Sequence, residues 1–191
     1  MIITVSGVPG SGKSTISKML AKQLGYERYY IGGMRRQLAN EMGISLAELN
    51  KMDEESFFTD RIVDEKVMEL GKTKDNIIVE SRTAYYFIPN SVKLFLDVEP
   101  REAARRIFQE SRESGRPEER YSSADEAYQG ILKRMTSDDK RYKALYGISC
   151  YDKSQFDIVI DTTNKSIEQV FSEVLSALKK FGVTAENLGA P

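Results

Sequence analysis

The chain has 191 residues, with 28 lysines and arginines against 29 aspartates and glutamates, no histidine and one cysteine, Cys150. That length suits a single domain with a continuous core, and a net charge of −1 gives no general attraction to nucleic acid or to an anionic membrane. Without histidine or paired cysteines there is no imidazole base, no Ser-His-Asp or Cys-His catalysis, no disulfide framework and no thiolate zinc site. Any chemistry must run on Lys, Arg, carboxylates, hydroxyls and a metal held by oxygen.

Met1 to Val5 is a short apolar, β-branched run that reads as a strand. Residues 7 to 14 follow as Gly7-Val8-Pro9-Gly10-Ser11-Gly12-Lys13-Ser14, a complete G-x-x-x-x-G-K-S phosphate-binding loop. Its glycines let backbone N–H groups turn inward on a polyphosphate. Lys13 adds a point charge, and Ser14 offers a hydroxyl to Mg²⁺. Thr15 continues into a helix that carries Ile16, Met19, Leu20 and Leu24 on one face. Strand, loop and helix together are the context that gives this motif its meaning, and they predict that the chain binds a nucleoside triphosphate.

Tyr26 to Ile31 reads as a second strand ending at Gly32-Gly33. Residues 34 to 70 read as helical. A helix from Met34 to Met42 stops at Gly43; Ser45 then caps Leu46 to Met52, with Glu48 in the capping-box position. A longer helix from Glu54 to Leu70 stops at Gly71. Strands are expected at Asn76–Glu80 and Val92–Asp97, and Pro100 opens another helix. Residues 111 to 125 are polar and charged and predict a mobile loop. A helix from Asp125 to Tyr146, a strand at Phe156–Ile160 and an amphipathic helix from Ser166 to Phe181 complete the series, with a frayed tail from Gly182. The opening lacks a basic n-region, and no run approaches the ~20 apolar residues of a membrane span, so the expected location is the cytoplasm.

Strands alternating with helices predict an α/β fold: a parallel sheet covered on both faces, with ligands beyond the carboxyl ends of the strands. The phosphate loop, Glu80 and Thr162–Lys165 all fall at such ends and converge on one crevice. The arginines then bear on the second substrate. Arg35-Arg36 follows the glycine pair, Arg82 follows Glu80, and Arg134, Asp138 and Arg141 share one helix face. Forked guanidinium groups suit phosphate oxygens, and moving a phosphoryl group between two anions needs such neutralisation. Each also has a plainer reading: Arg35 and Arg36 as an exposed turn, and Arg134, Asp138 and Arg141 as a salt-bridged, solvated face.

In these features the sequence resembles the nucleoside monophosphate kinases, and within them the short, archaeal-type cytidylate kinases. Gly32-Gly33-Met34-Arg35-Arg36 is similar to the family's G-x-x-x-R acceptor motif. Met42–Leu46 and Asp60-Arg61-Ile62-Val63-Asp64 resemble its acceptor-binding helices, and Glu80-Ser81-Arg82 stands where the family has acidic-Gly-Arg. Arg134-x-x-x-Asp138-x-x-Arg141 is similar to its lid motif. The sequence departs from the pattern at Ile31, Ser81 and Thr83, the last standing where bacterial members carry aspartate, and in the aromatic run Tyr85-Tyr86-Phe87.

The resemblance implies one P-loop kinase domain over 1–191, a three-layer α/β/α fold on a five-stranded parallel sheet. Residues 32–72 would be helical acceptor binders and 111–141 a short lid region. It implies transfer of a phosphoryl group from Mg²⁺-ATP to a nucleoside monophosphate, CMP or dCMP first, with no nucleic-acid or membrane partner, in a monomer. Gly7, Pro9, Gly10, Ser11, Gly12, Lys13, Ser14, Thr15 and Thr162 would hold ATP, and Ser14 and Glu80 the metal. Gly32, Arg36, Arg61, Arg82 and Asp138 would hold the acceptor. Lys13, Arg82, Arg134 and Arg141 would act on the transferring group, the last two swinging in with the lid. Asp138 would bind an acceptor hydroxyl, orient those arginines, or form a surface salt bridge. Other acceptors on the same fold (UMP, AMP or shikimate) and a nucleotide-switch ATPase are the alternatives.

Overall fold

The protein's structure, a computed structural model, describes residues 1–113 and 121–183. The expected loop residues 114–120 and tail residues 184–191 lie outside it. Its elements run β1 (Ile2–Gly7), α1 (Lys13–Leu24), β2 (Glu27–Tyr30), α2 (Ile31–Glu41), α3 (Leu46–Ser56), α4 (Phe58–Thr73), β3 (Ile77–Glu80) and α5 (Ala84–Phe87). There follow β4 (Val92–Asp97), α6 (Pro100–Glu113), α7 (Ala124–Tyr146), β5 (Ile158–Asp161) and α8 (Ile167–Leu178). All strand pairs are parallel, in the order β2-β3-β1-β4-β5, so β1 lies at the centre.

Alternation along the strands splits the core into layers. Ile3, Val5, Leu94 and Leu96 face α1 and α8, where they meet Ile16, Leu20, Val170 and Val174. On the opposite face Ile77 and Val79 pack on Val63 and Val67 of α4, and Phe95 on Ala103, Ile107 and Ile131 of α6 and α7. The central strands are covered on both faces, which is why β3 reads as a continuous apolar run, while the edge strand β5 alternates buried and exposed residues.

Several boundaries differ from the sequence reading. Gly32 and Gly33 do not end a strand; with Ile31 they form the first turn of α2. A Cβ at Gly33 would lie 2.7 Å from the Tyr30 ring, so the glycines admit that ring against the helix. Glu54 lies inside α3, which runs on to Ser56, and the break falls at Phe57, whose φ is +55°. The new helix is capped by Asp53, which accepts from the Thr59 N–H at 3.1 Å. Gly71 does not stop α4, which continues to Thr73; it gives close approach to Ile88, whose Cγ1 would be 2.8 Å from an added Cβ. Residues 111–113 extend α6, α5 was not anticipated, and Val183, expected to be frayed, is buried.

Candidate active site

The loop between β1 and α1 starts with a geometric necessity. Gly7 has φ +144°, and a Cβ there would sit 2.1 Å from the Leu96 carbonyl oxygen, so only glycine lets β1 turn beside β4. Gly7 itself does not line the cavity; Pro9 to Thr15 do. Gly12, left-handed at φ +84°, caps α1, which places free amides and the positive helix end at the loop. The Ser11 hydroxyl is buried there without a hydrogen-bond partner among the described residues. An orphaned donor in such a cradle fits a phosphate oxygen. Lys13 Nζ donates to the Val8 carbonyl at 2.7 Å. Burial first, then the Arg82 charge, lowers its pKa to about 7.

The loop forms one end of a cavity of about 720 Å³. Ser14 Oγ donates to Glu80 Oε1 at 2.6 Å, and Arg28 of β2 pairs with the other Glu80 oxygen. These two oxygen donors meet beside the loop. Among the described residues no group of three or more aspartates, glutamates or cysteines could hold a metal by itself. A pair of hard oxygens beside a phosphate cradle fits Mg²⁺, which retains waters and takes phosphate oxygens to complete its shell.

On one side of the loop, α6 and the turn after β5 form a second wall. Arg106 donates to the carbonyls of Thr162 at 2.7 Å and Thr163 at 3.0 Å, and Glu102 holds Arg106 at 2.8 Å. Thr162 lines the cavity as expected, but its hydroxyl is spent on the Asp97 carbonyl at 2.9 Å and on Arg106. Arg106 was not singled out by the sequence, because an arginine on a charged helix face carries no signal of its own.

The other half is walled by α2, α3, α4 and the end of β3. Gly32, Arg36, Arg82, Arg134, Asp138 and Arg141 all line it, so five of the six arginine and aspartate positions predicted for the acceptor or the chemistry meet there. Arg61 does not. It is exposed on the outside of α4, because the helical period turns Asp60, Val63, Asp64 and Val67 inward and leaves Arg61 about 100° away.

The face shared by Arg134, Asp138 and Arg141 is not a solvated one: Asp138 and Arg141 are buried and Arg134 is half-buried. Arg141 is 1% exposed and commits all three nitrogens: Nε to Asp60 at 2.7 Å, Nη1 to Ser137 at 2.7 Å and Nη2 to Asp138 at 2.8 Å. It differs in this from the expected swinging lid residue. Asp138 also pairs with Arg82 and accepts from Tyr151 OH at 2.9 Å. Burial would raise the Asp138 pKa, but Arg82, Arg134 and Arg141 hold it at about 2. Asp60 in turn binds Arg35, and Arg35 reaches Asp53 and Asn50, each at 2.9 Å. Charges thus alternate along Arg82, Asp138, Arg141, Asp60, Arg35 and Asp53, joining the end of β3 to α7, α4, α2 and α3. Asp60 and Asp64 on the helix face that carries Val63 and Val67 were the available signal, since carboxylates on an apolar helix face require buried partners.

Residues 2–164 match the model of the cytidylate kinase-like family. The chain is 37% identical over 179 residues to a cytidylate kinase of Pyrococcus abyssi, covering 93% of each chain. It is 34% identical over 190 residues to a cytidylate kinase of Sulfurisphaera tokodaii, covering 98% of this chain and 99% of that one. Among solved structures it is similar in fold to shikimate kinase from Bacteroides thetaiotaomicron, with TM-score 0.63, 16% identity and coverage of 95% and 98%. A protein from Eubacterium ventriosum gives TM-score 0.65 at 14% identity, covering 94% and 98%.

Proposed function

The chain belongs to the cytidylate kinase-like family, and from that premise we propose that it transfers the γ-phosphoryl group of ATP to CMP or dCMP, giving ADP and the diphosphate. The observation that carries this reading is that the phosphate loop and the arginine-lined half face each other across one cavity. Acceptor phosphate oxygens are already anionic near neutral pH, so no general base is needed and the lack of histidine costs nothing. Catalysis becomes alignment and charge stabilisation.

In this reading the amides of Gly10 to Lys13, the Ser11 hydroxyl and Lys13 hold the donor phosphates, while Pro9 and Thr15 shape the loop. Thr162 and Arg106 form the wall of the donor base. Ser14 and Glu80 hold Mg²⁺, which neutralises phosphate charge when bound. Arg36 and Arg82 clamp the acceptor phosphate against Gly32, and Arg134 faces the transferring group. Asp138 and Arg141 are positioning residues: Asp138 fixes Arg82, and Arg141 ties α7 to α4. The acceptor helices correspond to residues 32–72 and the α7 arginines to the lid region 111–141, within one domain. Residues 114–120 of that region lie outside the described residues.

The proposed setting is a monomer acting on small nucleotides in the cytoplasm. A net charge of −1 supports the absence of a nucleic-acid partner. No helix among the described residues is long and apolar enough to cross a membrane. The test is incubation with Mg²⁺-ATP and each of CMP, dCMP, UMP, AMP, GMP and shikimate, with products resolved by chromatography. Diphosphate chiefly from CMP or dCMP is expected. ADP and free phosphate regardless of acceptor would overturn the proposal.

A further inference from the structure

The carboxylates lining the cavity differ in what holds them. Glu80 pairs with Arg28, Glu102 with Arg105 and Arg106, and Asp138 with Arg82 and Arg141. Asp64 is different. It is 1% exposed, lies on α4 in the arginine-lined half, and is held by neutral hydroxyls: Thr83 Oγ1 donates to Oδ1 at 2.6 Å and Tyr146 OH to Oδ2 at 2.9 Å. Ile31, Leu46, Val63 and Tyr142 line the same cavity. Apolar and aromatic side chains with a few placed polar groups are the surroundings a nucleobase requires.

A buried carboxylate is costly to keep where a leucine or an amide would pack, so its chemistry is informative. Each carboxylate oxygen accepts two hydrogen bonds, and each Asp64 oxygen has one hydroxyl donor. The remaining lone pairs call for N–H donors from a ligand. Cytosine presents such a donor in its 4-amino group, and a carboxylate accepting from cytosine N4 is an established pairing chemistry. Uracil places a carbonyl oxygen at the same position. With the carboxylate ionised, two acceptors would then face each other without a proton between them.

We infer that Asp64, oriented by the Thr83 and Tyr146 hydroxyls, reads the acceptor base by accepting a hydrogen bond from a 4-amino group, and so selects aminopyrimidine over oxopyrimidine monophosphates. The inference rests on the kinase reading above and assigns its base choice to α4, to a residue outside the phosphate-binding machinery. Thr83 is then a positioning residue, which accounts for a hydroxyl directly after Arg82.

The test, run at about pH 8.5 where Asp64 is ionised, compares kcat/KM of wild type and Asp64→Asn for CMP, UMP and the pyrimidin-2-one ribonucleoside monophosphate, which lacks the 4-amino group. Wild type should prefer CMP over both by about 10- to 100-fold. In Asp64→Asn, whose amide offers both donor and acceptor, the preference should fall to within a few-fold, with the KM for ATP unchanged. A structural role would lower all three acceptors together. A CMP-to-pyrimidinone ratio equal in the two proteins would therefore overturn the inference while leaving the kinase reading intact. Failure of wild type to phosphorylate any nucleotide would overturn both. Should Asp64→Asn not fold, Thr83→Val removes the hydroxyl that orients Oδ1 and keeps the carboxylate; it should cut the same ratio several-fold, and an unchanged ratio would overturn the inference.

Discussion

Arg141 of α7 donates through Nε to Asp60 of α4 at 2.7 Å, with both side chains sealed from solvent. Asp60 also binds Arg35, and Tyr142 OH donates to it at 3.2 Å. One carboxylate therefore holds together two arginines from separate helices, Arg35 of α2 and Arg141 of α7. Burial raises the Asp60 pKa while the charges of Arg35 and Arg141 oppose that shift.

Asp60→Asn removes the negative charge between those arginines. Breaking a buried pair by neutralising one partner costs about 3–5 kcal/mol, because a charge remains buried without compensation. Urea unfolding should show a lower midpoint with an unchanged slope. A loss under about 1 kcal/mol would mean that water reaches this part of the network.

Lys13 stands at about 7, lowered first by burial and then by Arg82. At pH 8 it is largely neutral in the free protein, and a bound triphosphate restores the charged form. ATP binding at pH 8 should therefore take up nearly ~1 proton, and affinity should weaken as pH rises above 7. Calorimetry in buffers of different ionisation enthalpy measures this uptake directly. Lys13→Met should abolish it, and equal uptake in the variant would assign the proton elsewhere.

Arg82→Ala should leave ATP binding largely intact and lower kcat by ~10²-fold or more, since Arg82 meets Asp138 and the Gly7 carbonyl in the half opposite the donor base. Substrate turnover and ATP titration on the same preparation decide the matter. Unchanged turnover would remove Arg82 from the site.

Glu80→Gln replaces a carboxylate oxygen beside Ser14 with a weaker ligand and frees Arg28. The Mg²⁺ concentration for half-maximal activity should rise by about tenfold or more, while ATP binding without metal persists. A midpoint that stays in place would put the metal on other oxygens.

Asp64 is raised by burial from its ordinary 3.8 to about 7. Between those values the folded protein holds a proton that the unfolded chain has lost, so the stabilisation present at low pH disappears as pH rises through the window. Asp64→Asn should melt progressively higher than wild type as pH is taken from 5 to 8. A difference in Tm independent of pH would show that Asp64 does not carry the raised value.

The sequence by itself determined the elements whose signals are local. The phosphate loop follows from glycine geometry within eight residues. The alternating strands and helices follow from apolar period, and the cap at Ser45 from reciprocal hydrogen bonds with Glu48 three residues on. It also supplied Arg36, Arg82, Arg134 and Asp138, which the fold brings to one cavity. Only the tertiary structure decided the rest, because those facts depend on partners far along the chain. Asp53 caps α4 from the preceding helix, Gly71 makes room for Ile88, and Arg61 is turned outward by the packing of α4. Asp60 and Arg141 are 81 residues apart, and Asp64 and Tyr146 are 82 apart. A charged residue carries no local mark of whether it will end in solvent or in an ion pair. Its role is fixed only when distant helices close around it and the cost of burying the charge must be met by a partner.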